Sequence, residues 1–299
     1  MLKFSCPRSL TDIKETLSQI QEEAVFISGG TDLVIQLRSG QIKPALLLDL
    51  SQVSELKYIK EAVGRLRIGS ATTFAQISES FLVGEKARSL QQAASQVGSP
   101  QIRNRATLGG NIAMASAAGD SLPALLALDA WVSILGQQGL RRVSFAQLQT
   151  EKSVGLQANE LITEIDLPLG ETKGETKIVS GFAKIDSRTA VTIARLNLAA
   201  KVEVDPRKGR IKGARWVVGA LGPIPFRLEE LELSLQGKYV NQNLAGEIAD
   251  RLTEAVDRAI PGRYSQGYKR QAIQGLGYDL LGDLFPELRV DSSWAGRRN

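Results

Sequence analysis

"QIRNRATLGGNIAMASAAGD", residues 101–120, sets Thr107-Leu108-Gly109-Gly110-Asn111 ahead of a run in which nothing is larger than Met114. Adjacent glycines mark backbone that must turn tightly or that another group approaches closely. A second pair, Gly29-Gly30, lies in "AVFISGGTDL", residues 24–33. There a buried strand, 24–28, runs into two glycines, Thr31 and Asp32. Several backbone N–H groups are then exposed at a helix start, which is a ready anion site. A tight strand–helix turn capped by Asp32 explains the same residues. Neither pair belongs to a G-x-G-x-x-G or G-x-x-x-x-G-K-[ST] pattern, so any anion is held by another architecture.

The 101–120 stretch repeats this chemistry. Thr107 offers a hydroxyl, Gly109 and Gly110 a close backbone approach, and Asn111 and Ser116 side-chain donors. Ala113, Ala115, Ala117 and Ala118 leave room for a flat, bulky group, where a packed core loop would carry large residues. The alternative is a packed turn followed by a helix that Asp120 caps, with Pro123 in its first turn. Two such loops suit the diphosphate of a large cofactor.

Outward from these loops, Ser9 opens a helix with Asp12 in a capping-box position, and Leu10, Ile13, Leu17 and Ile20 form its apolar stripe. "ALLLDL" (45–50) reads as a second buried strand, so the first fifty residues form a βαβ-type unit with a glycine turn between strand and helix. Residues 56–71 read as a hairpin turning near Gly64, 74–98 as mostly helical, 131–145 as another hairpin and 160–168 as a strand. The polar stretch "LGETKGETK" (169–177) reads as a linker. Beyond it lie three strands, 178–185, 191–204 and 209–221, with a turn at "VDPRKGR". Two amphipathic helices follow, one carrying Leu244, Ile248, Leu252, Val256 and Ile260, the other Tyr264, Tyr268, Ala272 and Leu276. The tail, 289–299, reads as disordered.

Composition narrows the function. The 299 residues hold two or three domains, with 43% hydrophobic residues and a net charge of +5 spread without a basic stripe, so no nucleic-acid partner is expected. Cys6 is the single cysteine and histidine is absent. The chain therefore holds no iron–sulfur cluster of its own, no Ser-His-Asp or Cys-His site and no histidine-ligated zinc. "MLKFSCPRSL" lacks a signal-peptide core, and the apolar run 123–135 is shorter than the ~20 residues of a membrane helix. A cytoplasmic location without membrane insertion is the expectation.

"SGGTDL" together with "ATLGGNIAMASAAGDSLPALLALDA" resembles the FAD-binding medium subunit of the molybdenum hydroxylase family, which includes xanthine dehydrogenase and carbon monoxide dehydrogenase. The resemblance extends from Leu2 to about Phe285. It implies an α+β fold of the vanillyl-alcohol-oxidase-like (PCMH-type) class: FAD-binding subdomains at 1–55 and 56–170, and a C-terminal domain of three antiparallel strands with helices at 177–288. It also implies FAD as cofactor, its pyrophosphate lying against Ile27, Ser28, Gly29, Gly30, Thr31, Asp32 and Leu33. Further contacts are implied for Val97, Gly98, Thr107, Gly110, Asn111, Met114, Ser116 and Asp120. Ile162 matches an apolar residue near the ring system and Lys184 a lysine near the flavin, a candidate to balance the diphosphate. No metal ligand or catalytic side chain is implied on this chain.

The function implied is electron transfer within a heteromeric complex. A molybdopterin-containing large subunit hydroxylates the substrate, a [2Fe-2S] iron–sulfur subunit relays electrons, and FAD passes them to NAD or another acceptor. This chain departs from the usual family motif at Ser28, Met114 and Ala117, and lacks the usual acidic pair after Arg188. Those departures keep two alternatives open: an assembly or regulatory homologue without flavin, and a stand-alone flavin reductase of the same superfamily.

Overall fold

A computed structural model describes residues 2–150, 155–170, 176–186 and 193–288. Strand β1 (Lys3–Ser5) leads into helix α1 (Leu10–Gln19), whose capping box is complete. Ser9 Oγ accepts the Asp12 N–H at 3.0 Å and the Asp12 carboxylate accepts the Ser9 N–H at 3.1 Å. Ile13 and Leu17 are its fully buried face. Strand β2 (Ala24–Ile27), helix α2 (Leu33–Arg38) and strand β3 (Leu46–Asp49) make the strand–helix–strand unit. The three strands pair in parallel in the order β1-β3-β2.

A five-stranded antiparallel sheet follows. Strands β4 (Ile59–Ala62) and β5 (Arg65–Gly69) form a hairpin around Val63-Gly64, both with positive φ. The helical stretch is broken into α3 (Phe74–Glu79), α4 (Phe81–Lys86), α5 (Arg88–Ser95) and α6 (Pro100–Arg103). Helices α7 (Leu108–Met114) and α8 (Ser121–Ala127) come next. The second hairpin is β6 (Trp131–Gly136) and β7 (Gly139–Ser144), followed by α9 (Phe145–Thr150). Strand β8 (Leu161–Pro168) inserts between the hairpins, giving the order β4-β5-β8-β6-β7. Strand β8 is largely buried on both faces, the polar Thr163 and Asp166 included.

The C-terminal sheet has four strands, not three. To β9 (Lys177–Asp186), β10 (Ala194–Asp205) and β11 (Arg210–Gly219) it adds β12 (Phe226–Arg227), two residues with too little pattern to read from sequence. Helices α10 (Glu229–Leu235), α11 (Gln242–Ala259) and α12 (Gln266–Leu284) complete it. Leu244, Ile248, Leu252 and Val256 of α11, with Ile260 just beyond it, are all buried. The α12 stripe is corrected at its start. Tyr264 precedes the helix and is fully exposed, Tyr268 is half-exposed, and the buried face is Ala272, Ile273, Leu276, Leu280 and Leu284.

The chain divides into two units. One comprises Met1–Lys86, Ala94–Ser116 and Asp129–Leu169; the other comprises Ala87–Ala93, Ala117–Leu128 and the chain from Gly170 on. The second unit thus takes up the start of α5 and all of α8. The tail 289–299, most of the linker and the segment around Arg188 lie outside the described residues. Among the described residues no helix is long and apolar enough to cross a membrane.

Candidate functional site

In the first unit the two glycine turns meet. A Cβ on Gly29 would lie 2.1 Å from the Arg105 carbonyl oxygen and 3.0 Å from the Ala106 Cα. Gly29 is therefore glycine because the backbone leading into the second turn crosses directly over it. Gly30 sits at φ +74°, a left-handed conformation that only glycine adopts freely. Beyond it the chain enters α2, with the Val34 N–H reaching the Gly30 carbonyl at 3.1 Å.

Between Ile27 and Val34 the backbone donors are uncommitted. The N–H groups of Ser28, Gly29, Gly30, Thr31, Asp32 and Leu33 find no acceptor among the described residues. Asp32 does not cap α2: its carboxylate takes the Thr31 hydroxyl at 3.1 Å and no helix N–H. A run of open amides at a helix start favours an anion, through both hydrogen bonds and the aligned peptide dipoles.

The second turn does not repeat that arrangement, contrary to the expectation from its glycines. The Leu108 N–H donates to the Thr72 carbonyl at 3.1 Å and the Gly109 N–H to the Ser70 carbonyl at 2.9 Å. The Gly110 N–H donates to Thr107 Oγ1 at 3.3 Å and the Asn111 N–H to the Thr107 carbonyl at 3.0 Å. Gly109 is required by contact, since a Cβ there would come within 2.6 Å of the Ser70 Cβ. Gly110 differs: its Cβ would meet only Thr107 Oγ1, at 3.0 Å. Thr107 is the N-cap of α7, and the helix ends at Ala115 with φ +46°. Met114 and Ser116 there are exposed.

The other first-unit positions surround this junction unevenly. The Arg103 guanidinium donates to the carbonyls of both Val97 and Gly98 at 3.1 Å. Gly98, at φ +45°, packs on Ile102. Helix α7 rests on β8, where Ile162 is buried and paired with Ile134.

In the second unit Asp120 and Lys184 form a buried pair. Lys184 Nζ lies 2.7 Å from Asp120 Oδ2, with the two side chains 3% and 7% exposed. Asp120 does not cap α8, because its carboxylate is turned to Lys184 and to Asn197, whose Nδ2 donates to Oδ1 at 3.2 Å. The charge of Lys184 is thus balanced first by Asp120. Burial pushes the Asp120 carboxyl up, and the Lys184 ammonium and the Asn197 amide pull against it. Asn197 was not singled out from the sequence. Its one signal is an amide in the otherwise apolar run 196–200.

Two family profiles match the chain: "FAD binding domain in molybdopterin dehydrogenase" over residues 1–170, and "CO dehydrogenase flavoprotein C-terminal domain" over residues 182–284. The chain belongs to the FAD-binding family of molybdopterin dehydrogenases. It is 30% identical to the nicotinate dehydrogenase FAD-subunit of Eubacterium barkeri, over 96% of this chain and 97% of that one. It is also 30% identical to the xanthine dehydrogenase FAD-binding subunit of Escherichia coli O157:H7, over 87% and 88%. The fold matches quinoline 2-oxidoreductase from Pseudomonas putida 86 with a TM-score of 0.83 at 22% identity, covering 96% and 98% of the two chains. Carbon monoxide dehydrogenase from Hydrogenophaga pseudoflava matches with a TM-score of 0.82 at 22% identity, over 96% and 98%.

The molecule is therefore an α+β flavin-binding chain of the PCMH type and a FAD-dependent oxidoreductase subunit. The residues present fit that cofactor. Six consecutive open amides suit a diphosphate.

Proposed function

We propose that this chain is the electron-transfer subunit of a heteromeric molybdenum hydroxylase, and that the turn Ser28–Leu33 holds the FAD pyrophosphate. The observation that carries this reading is the run of uncommitted N–H groups from Ser28 to Leu33. When bound, FAD supplies the redox chemistry, taking electrons from the [2Fe-2S] clusters of a partner subunit and giving them to NAD or another acceptor.

The chain's own residues bind and position. The amides of the first turn offset about two negative charges without a salt bridge. Leu108 and Gly109 fix the second turn against Thr72 and Ser70, which keeps the first turn's glycine seated under Arg105. Asp120, held by Lys184 and Asn197, presents a buried polar cluster at the entry to α8. Ile162 and the residues around it give an apolar wall that excludes water.

Two features support partner subunits. The chain has no histidine and one cysteine, so the hydroxylating metal centre and the clusters belong to other polypeptides. Several relatives are described as a "subunit" or "medium chain".

The test is to purify the chain with its co-expressed partners. Flavin absorbance, bleached by reducing substrate and restored by NAD or another acceptor, is the expected result. A colourless chain that takes up no added FAD overturns the reading and favours the flavin-free homologue. Turnover of a small molecule by the isolated chain favours the stand-alone reductase instead.

A further inference from the structure

A pocket of about 360 Å³ opens in the second unit beside Ala117 and Ala118, which lie in the chain between Ser116 and Asp120. Its wall is small at Ala117 and Ala118, and its other side is cationic, formed by Arg195 and Lys269 beside the Tyr268 ring. A volume of this size suits a small-molecule ligand.

The placement of Arg195 is built into the sheet. Ala194 pairs with Asp186 and Leu196 with Ile185, so Arg195 is the extra residue of a β-bulge between β9 and β10. Bulges re-aim a side chain out of the ladder. Here the guanidinium lies over the Tyr268 ring, 5.8 Å from its centroid. Stacking uses the guanidinium's face and leaves its in-plane N–H donors open.

Lys269 is partly buried and donates to the Ala220 carbonyl at 2.6 Å. Burial first, and Arg263 second, hold its ammonium below the usual lysine range. Neither Arg195 nor Lys269 has a carboxylate partner among the described residues. The pocket also includes Ser265, where α12 begins, so the positive end of a 19-residue helix adds to the same side. Two cations without a carboxylate partner and a helix start facing one concavity favour an anion there.

We propose that this pocket binds phosphate, with Arg195 and Lys269 as its two cationic contacts. The phosphate is either the free ion or the terminal group of a nucleotide; both present the same doubly charged oxygens. The site shares no residue with the Ser28–Leu33 turn and does not rest on the acceptor assigned to the flavin.

The experiment is calorimetric titration of FAD-saturated protein with inorganic phosphate, with ADP and with adenosine. Saturation with FAD keeps ADP out of the flavin site, and flavin absorbance reports loading separately. Binding of phosphate or ADP, weakened about tenfold or more by Arg195→Gln and by Lys269→Gln, is expected. Arg195 is exposed, so Arg195→Gln keeps the melting temperature and flavin content of the parent. ADP binding much tighter than phosphate identifies a nucleotide, and equal affinity identifies the free ion. Absence of binding by both, binding unchanged in Arg195→Gln, or adenosine binding as tightly as ADP overturns the proposal.

Discussion

Gly29 lies so close under Arg105 that a Cβ would meet the Arg105 carbonyl oxygen at 2.1 Å. The contact is backbone on backbone, so no rotamer change relieves it. Gly29→Ala is expected to force the two turns apart, costing about 1–3 kcal/mol of stability and lowering FAD retention. Gly246→Ala is the control. That glycine is exposed inside α11 with nothing within 4 Å of a Cβ, and the substitution stabilises by about 0.5–1 kcal/mol. Urea denaturation of both, with flavin content, checks the contrast; equal effects would refute it.

Lys184→Met leaves the Asp120 carboxylate buried without its cation. Breaking such a pair from one side costs about 3–5 kcal/mol, and adding Asp120→Asn recovers much of it because no charge is then stranded. The pH dependence has a definite sign. Burial already raises the Asp120 carboxyl and Lys184 opposes that rise, so the variant's carboxyl is raised further. The folded state then holds its proton more tightly than the unfolded one. Stability of Lys184→Met falls as pH rises above the ordinary aspartate range, more steeply than in the parent. Melting curves from pH 4 upward test this.

Val63 occupies the first of two positive-φ positions in the β4–β5 turn, at φ 52°, and is 92% exposed. A β-branched residue there is strained, whereas Asn-Gly is the preferred pair for such a two-residue turn. Val63→Asn is expected to stabilise by about 1 kcal/mol and to raise the melting temperature by about 2 °C. A fall in melting temperature would contradict this account of the turn.

Glu160 receives the Arg141 guanidinium at 2.7 and 2.6 Å and the Gln157 N–H at 2.8 Å. Burial raises its carboxyl, but these donors together outweigh that and hold it below the usual glutamate range. A depressed acid stabilises the fold above its unfolded value and loses that contribution as pH falls through the folded value. Glu160→Gln therefore destabilises at neutral pH and flattens the acid limb of the stability curve. Thermal melts between pH 3 and 7 show whether the limb changes.

Local pattern carried much of the fold. Ser9 and Asp12 form their capping box, "AVFISGGTDL" is a strand, a left-handed glycine and a helix, and the period of Leu244 to Ile260 marks one buried face. In each case the determining interactions span only a few residues. Tyr268 keeps the helical spacing yet opens onto a pocket, because spacing reports periodicity and not what lies opposite.

The amino-acid sequence by itself determined the family, the two glycine turns and the absence of any histidine or cluster chemistry on this chain. These depend on residue identity and short-range geometry. Tertiary structure alone decided that the first turn's amides stay open while those of Leu108 and Gly109 are taken by Thr72 and Ser70. It alone turned Asp120 from a helix cap into the partner of Lys184 and Asn197. Those outcomes depend on which carbonyls and charges the fold brings across from distant parts of the chain, and on the burial that makes each unpaired group costly.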